Sequence, residues 1–216
     1  MKQGITGAPL GSFLDALASA EPTPGGGAAA AISGAMAAAL IAMVCNLTIG
    51  RPKFATVEEQ LTRVRAESEL LRARLLATAE ADAQAYGAVA AAYRLPRATA
   101  DERAARAAAI QNALAGAAQP PLEAMELGRQ LLTLALQTAA DGNPNVVSDA
   151  GVAAELAVAT VRAAALMVRA NLAELTDPAL VDAYAARITT AEARLAEDRD
   201  RVVALLRAHQ APKAKR

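Results

Sequence analysis

The sequence predicts an all-α protein, a single-domain bundle of about seven long helices that forms an intertwined or tightly packed homodimer. Hydrophobic residues make up 54% of the 216-residue chain and aromatic residues only 2%. The apolar content is mostly Ala, Leu and Val, which suits closely packed helices. Apolar positions recur every three or four residues over long stretches, as on the buried seam of a bundle helix. These apolar faces are wider than one bundle core needs, which favours burial against a second subunit.

Residues that break helices separate the elements. Pro96 ends the longest helix, Pro120-Pro121 breaks the next one, and the turn at 141–145 precedes another, because proline and glycine interrupt helical geometry. Asp177-Pro178 is a cap followed by proline at the first helical position. The predicted helices run from about 10 to 20, 25 to 49, 56 to 94, 99 to 118, 122 to 140, 148 to 175 and 177 to 205.

Charge balance and rare residue types limit the chemistry. Lys plus Arg and Asp plus Glu both number 22, so we expect no basic field for nucleic acid. The single cysteine, Cys45, cannot form an internal disulfide and fits a reducing, cytoplasmic compartment. The single histidine, His209, argues against a Ser/His/Asp triad or a histidine-rich metal site. We expect one domain over residues 1–216, with 210–216 as a flexible basic tail.

A glycine turn and an uncharged helix dominate the N-terminal part of the chain. Residues 22–27 read Pro-Thr-Pro-Gly-Gly-Gly, and no charged residue follows until after Ile49. The prolines exclude helix before Gly25, and the glycines let the backbone approach a neighbour closely. Two interpretations stay open: a tight loop into a buried helix, or a site for an anionic ligand at the helix N-terminus.

The same uncharged segment is long enough to cross a membrane. Ala and Gly, which contribute little to membrane insertion, dominate it, no aromatic belt flanks it, and no other segment is expected to form a second span. A helix that is apolar on all sides also occurs at the centre of a bundle. We therefore expect a core helix and no membrane association.

Two charged residues and one turn do not fit a purely structural pattern. Asp82 falls on an apolar helix seam, where a carboxylate is costly unless it is paired, for instance with an Arg, or faces a cavity. Lys53 is the only lysine between Lys2 and Lys213, so it is a candidate functional cation, although chance also accounts for it. The polar turn at 142–149 supplies turn and cap residues, and gains a further role if it meets the glycine turn in space.

Five segments taken together carry a family resemblance. They are residues 22–30 (PTPGGGAAA), 46–54 (NLTIGRPKF), 82–86 (DAQAY), 95–97 (LPR) and 142–151 (GNPNVVSDAG). In this order and at this spacing they resemble the cyclodeaminase/cyclohydrolase family of folate enzymes, most of all its stand-alone cyclohydrolase branch. The resemblance runs from about Phe13 to Asp177.

The resemblance implies an all-α homodimer that binds a reduced folate near the glycine turn. The expected reaction is hydrolysis of 5,10-methenyltetrahydrofolate to 10-formyltetrahydrofolate, with a tetrahydrofolate derivative as substrate, no metal and no permanently bound cofactor. Asp82 would be the catalytic carboxylate, and Lys53 would contact the adduct oxygen or a folate carboxylate. The residues expected to bind substrate are Pro24, Gly25, Gly26, Gly27, Asn46, Thr48, Asn143, Asn145, Ser148 and Asp149, with Asn143, Ser148 and Asp149 at the pterin edge.

Two alternative functions remain at this stage. A formiminotetrahydrofolate cyclodeaminase would release ammonia and needs an acid strong enough to protonate an amine. Ala28 and Phe54 stand where many members of the family have a hydroxyl and a phenol. The chain therefore has fewer proton donors at these positions, which favours hydrolysis over the release of ammonia. A non-catalytic helical folate-binding or scaffold protein is the second alternative, and Asp82 and Lys53 argue against it.

Overall fold

The computed structural model describes residues 4–210 and contains eight α-helices and no strand within that range. The all-α prediction is confirmed. The predicted basic tail lies, apart from Gln210, outside the described residues. The helices are α1 (Leu10–Leu17), α2 (Gly26–Asn46), α3 (Glu58–Tyr93), α4 (Ala100–Ala117), α5 (Gln119–Asp141), α6 (Val147–Leu172), α7 (Pro178–Glu192) and α8 (Leu195–Gln210).

The eighth helix arises because the predicted last helix is broken in two. Ala193 leaves helical geometry with ψ 130°, and Arg194 lies in the left-handed region with φ 55°. Non-glycine residues seldom adopt that conformation, so the sequence carries no visible stop signal there. The break lets α8 turn and pack against α5 and α6, where Leu195 and Val202 are buried.

Helix ends follow ordinary capping chemistry. The Thr99 hydroxyl accepts from the Glu102 N–H at 3.2 Å, and the Glu102 carboxylate accepts from the Thr99 N–H at 3.0 Å, which makes a capping box. The Asp177 carboxylate accepts from the Ala179 N–H at 2.9 Å. Pro120-Pro121 lies in the first turn of α5 instead of before it. Proline is tolerated there because the backbone amides of a first helical turn have no carbonyl partner within the helix.

The uncharged helix α2 lies at the centre of the bundle, against α3, α5 and α6. Its small residues allow neighbouring helices to approach closely. A Cβ on Gly34 would lie 3.1 Å from both Leu75 and Thr160 side chains, and Gly142 packs so tightly that a Cβ would lie 2.7 Å from Val44. Helix α2 is therefore tightly packed both in its middle, at Gly34, and near its C-terminal end, at Val44.

Two segments pass a length-and-hydropathy test for membrane spans, which corrects the expectation of only one. They are α2, with mean hydropathy 2.1, and Pro144–Leu172, with mean hydropathy 1.7. In this fold 61% of the most apolar stretch of α2 is buried, and 50% of that of Pro144–Leu172. Core helices of bundles pass the same test, because burial in protein and burial in lipid select the same side chains.

Candidate functional site

A groove of about 350 Å³ lies between α3 and α6, within the range of roughly 300–1,000 Å³ that small-molecule sites occupy. One wall is a single stripe of α3, because residues four, seven and eleven positions apart share a helix face. That stripe consists of Asp82, Tyr86, Val89 and Tyr93. The facing wall consists of Met167, Ala170, Asn171 and Glu174, the floor of Leu114 and Ala117, and one end of Pro22, Thr23, Gly25 and Gly26.

Asp82 lies at the end of this groove that faces the first turn of α2. Its carboxylate is partly buried, and burial raises the pKa of Asp82 above the ordinary value of 3.8. The backbone N–H of Ala28, which donates toward the carboxylate, lowers that pKa in the opposite direction. Among residues 4–210 no cation contributes to the shift. The Arg pair that sequence reasoning offered as the structural alternative is therefore absent from the described part of the chain.

The three glycines of the turn have different surroundings. A Cβ on Gly27 would lie 2.0 Å from Asp82 Oδ1, so only glycine lets the carboxylate sit on the first turn of α2. A Cβ on Gly26 would lie 3.1 Å from Met167 Sδ, whereas one on Gly25 would meet only the Pro22 carbonyl at 3.6 Å. Gly25 and Gly26 line the groove, and Gly27 instead makes room for Asp82. Pro24 is half-buried within the turn.

The remaining sequence-predicted site residues lie at the opposite end of α2. Its 21 residues span about 30 Å at 1.5 Å per residue. Asn46 is the last residue of α2 and its side-chain oxygen accepts from Arg65 Nη1 at 3.3 Å. Lys53 follows in the 3-10 turn Pro52–Val57, with its Nζ 4.7 Å from the centre of the Phe54 ring. Within one chain, Lys53 and Asp82 do not share a site.

The polar turn before α6 meets this same distant end of α2, and not the glycine turn. Buried Thr48 donates to the Val44 carbonyl at 2.6 Å and accepts from the Asn143 N–H at 2.9 Å. The Asn143 amide donates to the Leu47 carbonyl at 3.1 Å and accepts from the Asn145 N–H at 3.1 Å. These bonds join α2 to the start of α6 and account for the polarity of Thr48 and Asn143 in a buried place.

Ser148 and Asp149 occupy the first turn of α6 at the same end of the molecule. Ser148 is exposed and Asp149 is half-buried. An acidic side chain in a first turn interacts favourably with the helix dipole. This position gives Asp149 a structural role. The 21 residues of α2, about six helical turns, separate it from the groove of Asp82.

Comparison with known proteins shows which family the chain belongs to. A sequence profile described as formiminotransferase-cyclodeaminase matches residues 9–190. The chain is 50% identical to methenyltetrahydrofolate cyclohydrolase of Methylorubrum extorquens over 186 residues, which cover 86% of this chain and 88% of that protein. The chain belongs to the formiminotransferase-cyclodeaminase family.

Two further members of the formiminotransferase-cyclodeaminase family show how the fold is used. Formiminotetrahydrofolate cyclodeaminase of Thermotoga maritima has a solved structure that matches with a TM-score of 0.83 at 31% identity, over 93% of this chain and 96% of that one. Formimidoyltransferase-cyclodeaminase of Rattus norvegicus is 32% identical over 189 residues, which are 88% of this chain but 35% of that protein. The fold expected from the sequence resemblance is confirmed.

Sequence reasoning missed most residues of the groove, including the polar residues Tyr93, Asn171 and Glu174. The Tyr93 hydroxyl donates to Glu174 Oε2, and this hydrogen bond raises the pKa of Tyr93, which keeps the hydroxyl protonated. The Asn171 amide donates to the Met167 carbonyl at 3.0 Å. The spacing of Asp82, Tyr86 and Tyr93 on one face was readable from the sequence, but no sequence signal pairs that face with the end of α6.

Metal ligation has no candidate in the described part of the chain. Within residues 4–210 no three His, Cys, Asp or Glu side chains are grouped closely enough to hold a metal ion. The polar groups of the groove are two carboxylates, two tyrosine hydroxyls, one side-chain amide and the hydroxyl of Thr23. This inventory can accept protons and hydrogen bonds from a ligand that is cationic or rich in N–H donors.

Proposed function

We propose that this protein hydrolyses 5,10-methenyltetrahydrofolate to 10-formyltetrahydrofolate in one-carbon metabolism. The observation that carries the proposal is its 50% identity, over 86% of its length, to the methenyltetrahydrofolate cyclohydrolase of Methylorubrum extorquens. The groove supports it independently, because an unpaired carboxylate beside a cavity suits a cationic substrate. The folate substrate needs no permanently bound cofactor.

The reaction divides into two steps around Asp82. Water adds to the cationic methenyl carbon, a C–O bond forms, and Asp82 takes one proton from the water as general base. The tetrahedral adduct then opens: the bond from carbon to N5 breaks, Asp82 returns its proton to N5, and the adduct hydroxyl releases its proton to solvent. The products are 10-formyltetrahydrofolate and one proton, so atoms and charge balance.

The electrostatics of Asp82 suit both steps. The ionised carboxylate attracts the cationic carbon, and burial raises its pKa towards the working range, so that the same group can give the proton back. The Ala28 N–H limits that rise and fixes the orientation of the carboxylate. Asp82 therefore contacts the reacting atoms, and Gly27 positions Asp82.

The cyclodeaminase reaction is the second candidate, and one observation favours it. The formiminotetrahydrofolate cyclodeaminase of Thermotoga maritima shares this fold over nearly its whole length. Its identity to this chain is 31%, against 50% for the cyclohydrolase. A non-catalytic scaffold would leave a half-buried, cation-free carboxylate without a purpose, since such a group lowers stability.

A homodimer completes the proposal, because one stripe of the core helix α2 is only partly buried. Met36 is 49% exposed, and the stripe contains no charged residue over its whole length. Neighbouring α6 also exposes large apolar side chains, Val152 at 50% and Leu166 at 65%. Exposed apolar surface of this extent marks an interaction site. The stripe consists of Gly26, Ala29, Ile32, Ser33, Met36, Ala39, Leu40, Met43, Asn46 and Leu47.

A twofold dimer would also place Lys53 of the partner subunit near the groove of Asp82. In an isologous interface each subunit uses the same patch. Two copies of α2 that pack antiparallel around Met36 would set the Asn46 end of one helix beside the Gly26 end of the other. Lys53 of the partner subunit would then lie near the groove of Asp82, where its ammonium could stabilise the adduct oxygen or bind a folate carboxylate.

The proposed enzyme is cytoplasmic and acts without membrane or nucleic acid. A folate substrate dissolved in the cytosol, a balanced charge of 22 basic and 22 acidic residues, and a single buried cysteine fit this placement. The apolar helices α2 and α6 then serve the bundle core and the dimer interface.

A pair of assays on one preparation tests the proposed reaction. Purified protein is expected to consume 5,10-methenyltetrahydrofolate well above the buffer rate and to form 10-formyltetrahydrofolate. It is expected to release little ammonia from 5-formiminotetrahydrofolate at the same pH. Fast ammonia release with methenyl hydrolysis at the buffer rate would reverse the assignment, and loss of both activities in folded protein would favour the scaffold.

A further inference from the structure

We propose that Glu174, held by the Tyr93 hydroxyl, binds the N–H donor edge of the pterin ring and sets the direction in which folate enters the groove. The inference rests on the proposed function and assigns the pterin to the α3–α6 groove. Asp82 and Tyr93 are eleven residues apart on α3, which separates their Cα atoms by about 16 Å along the axis. The reacting carbon and the pterin edge can therefore occupy opposite ends of one groove.

The first argument is the use of scarce aromatic residues. The sequence contains three tyrosines, two phenylalanines and no tryptophan. Two of these five aromatic residues, Tyr86 and Tyr93, line the groove and remain 45% and 43% exposed. Aromatic rings that are open on one face stack on flat heterocycles. A bicyclic pterin is such a ligand.

The second argument is the match of hydrogen-bonding groups. The pterin edge presents two neighbouring donors, the ring N3–H and the 2-amino group. A carboxylate has about four acceptor sites, and Tyr93 uses one of those on Glu174. The carboxylate keeps enough acceptors for both pterin donors. Asn171 adds one more, because its nitrogen donates to the Met167 carbonyl and its oxygen remains an acceptor.

The third argument is charge. The described residues that line the groove include two carboxylates, Asp82 and Glu174, and no Lys or Arg. Arg106 stacks on the Tyr93 ring, 5.5 Å from its centre, but is not part of this lining. The two carboxylates attract the cationic carbon and the pterin donors, and the anionic glutamate tail of folate is not expected to contact either of them. The pterin enters first towards Glu174, the methenyl carbon rests at Asp82, and the tail leaves through the open side of the groove.

Calorimetry with two ligands tests the contact directly. The probes are 5-formyltetrahydrofolate and its analogue with a methyl group in place of the 2-amino group. A lost hydrogen bond to a charged group corresponds to roughly tenfold to a hundredfold in affinity. Wild-type protein is expected to bind the analogue more weakly by that factor. The Glu174→Gln variant is expected to bind 5-formyltetrahydrofolate more weakly by a similar factor and to discriminate little between the two probes.

Two further variants separate binding from structure. Glu155→Gln removes an equal charge from α6, the helix that precedes Glu174, at an exposed site whose carboxylate lies 3.7 Å from Arg199, and is expected to bind like wild type. Tyr93→Phe keeps the ring but frees Glu174, and is expected to weaken binding less than Glu174→Gln. Equal discrimination by wild type and Glu174→Gln, or a Glu174→Gln variant that loses thermal stability but no affinity, would overturn the inference.

The outcome is independent of the proposed reaction, because calorimetry needs no turnover. Coupling between Glu174 and the 2-amino group in a protein without hydrolase activity would remove the proposed function and keep this contact. Hydrolysis without the coupling would keep the function and remove the contact.

Discussion

Two aspartates on helix seams show how surroundings decide the role of a residue. Asp82 and Asp198 both interrupt apolar helix faces, and the helical pattern alone does not distinguish them. Burial alone would raise the pKa of Asp198, but the Arg129 guanidinium bonds its carboxylate, Arg201 adds a second contact, and the pKa is lowered. The Asp82 carboxylate is partly buried and no cation among the described residues contributes to its pKa, so burial raises that pKa. The first is a structural ion pair and the second is a candidate for chemistry.

Substitution of each aspartate by asparagine is expected to change stability in opposite directions. A raised folded-state pKa means that ionisation of Asp82 destabilises the fold, an effect absent below the unfolded value of 3.8 that grows as pH rises through the folded value. Asp82→Asn should therefore raise the melting temperature at neutral pH and not in acid. Asp198→Asn should lose about 1–3 kcal/mol at neutral pH, because it leaves Arg129 without its partner.

The contribution of the Asp198 carboxylate to stability has the opposite pH dependence. Its lowered folded-state pKa gives stability that is present above the unfolded value of 3.8 and is lost as pH falls through the folded value. Thermal melts of both variants over a pH series measure the two effects together. An Asp82→Asn variant that is less stable than wild type at neutral pH would show that the carboxylate has a stabilising partner.

Gly27 is the second residue whose role depends on a close contact. Gly27→Ala would put a Cβ 2.0 Å from Asp82 Oδ1, so the carboxylate must move out of its position. We expect kcat to fall about tenfold or more while KM changes less, since a displaced general base loses much of its contribution. Steady-state kinetics across pH measure this, and the acid limb of the profile should shift with the displaced carboxylate.

Gly11→Ala is the matched control for the glycine substitution. A Cβ there meets nothing within 4 Å, and α1 is exposed at that position. Its kcat and KM are expected to equal those of wild type. If Gly27→Ala also retained wild-type kcat and pH profile, Gly27 would serve only the packing of α2.

At the scale of elements, α2 was predictable but its neighbours were not. The composition of residues 25–49 indicated a core helix, and glycine and proline marked its start correctly. The turn containing Asn143 was expected to become functional if it met the glycine turn. The structure sets it against Thr48 at the other end of α2 instead, because the direction of α5 and α6 depends on tertiary packing that local patterns do not encode.

The partly buried stripe of α2 gives the prediction at this scale. Met36→Glu would place a charge in the proposed interface, where an unpaired charge is strongly unfavourable. We expect the variant to be a monomer of 22.0 kDa by light scattering, while wild type has about twice that mass. Leu95→Glu, a 40% exposed leucine beyond the end of α3, is the control and should remain a dimer. A dimeric Met36→Glu variant would place the interface elsewhere.

At the scale of the whole molecule, the distance between Asp82 and Lys53 demands an explanation. The family resemblance assigned both residues to one site, and about 30 Å of α2 separates the two ends at which they lie. A site shared between two subunits reconciles the assignments. Without a partner, Lys53 has no path to the groove, and its catalytic role would have to be abandoned.

Complementation between inactive variants tests the shared site. Asp82→Asn and Lys53→Met are each expected to be nearly inactive. When the two chains are co-expressed, mixed dimers contain one site with both residues intact, so activity should return to about a quarter of the wild-type value for random pairing of an isologous dimer. Activity no higher than that of the separate variants would show that Lys53 and Asp82 act within one chain or that Lys53 does not act.

The central claim is that methenyltetrahydrofolate is hydrolysed at Asp82. The most direct test is the rate of methenyl hydrolysis by folded wild-type and Asp82→Asn protein over a pH series from the ordinary aspartate value of 3.8 up to neutral, with the buffer rate subtracted. Wild type should slow as pH falls through the raised pKa of Asp82. Asp82→Asn should be slower by about 100-fold or more and lack that acid limb. A folded Asp82→Asn enzyme with the wild-type rate and pH profile would contradict the claim.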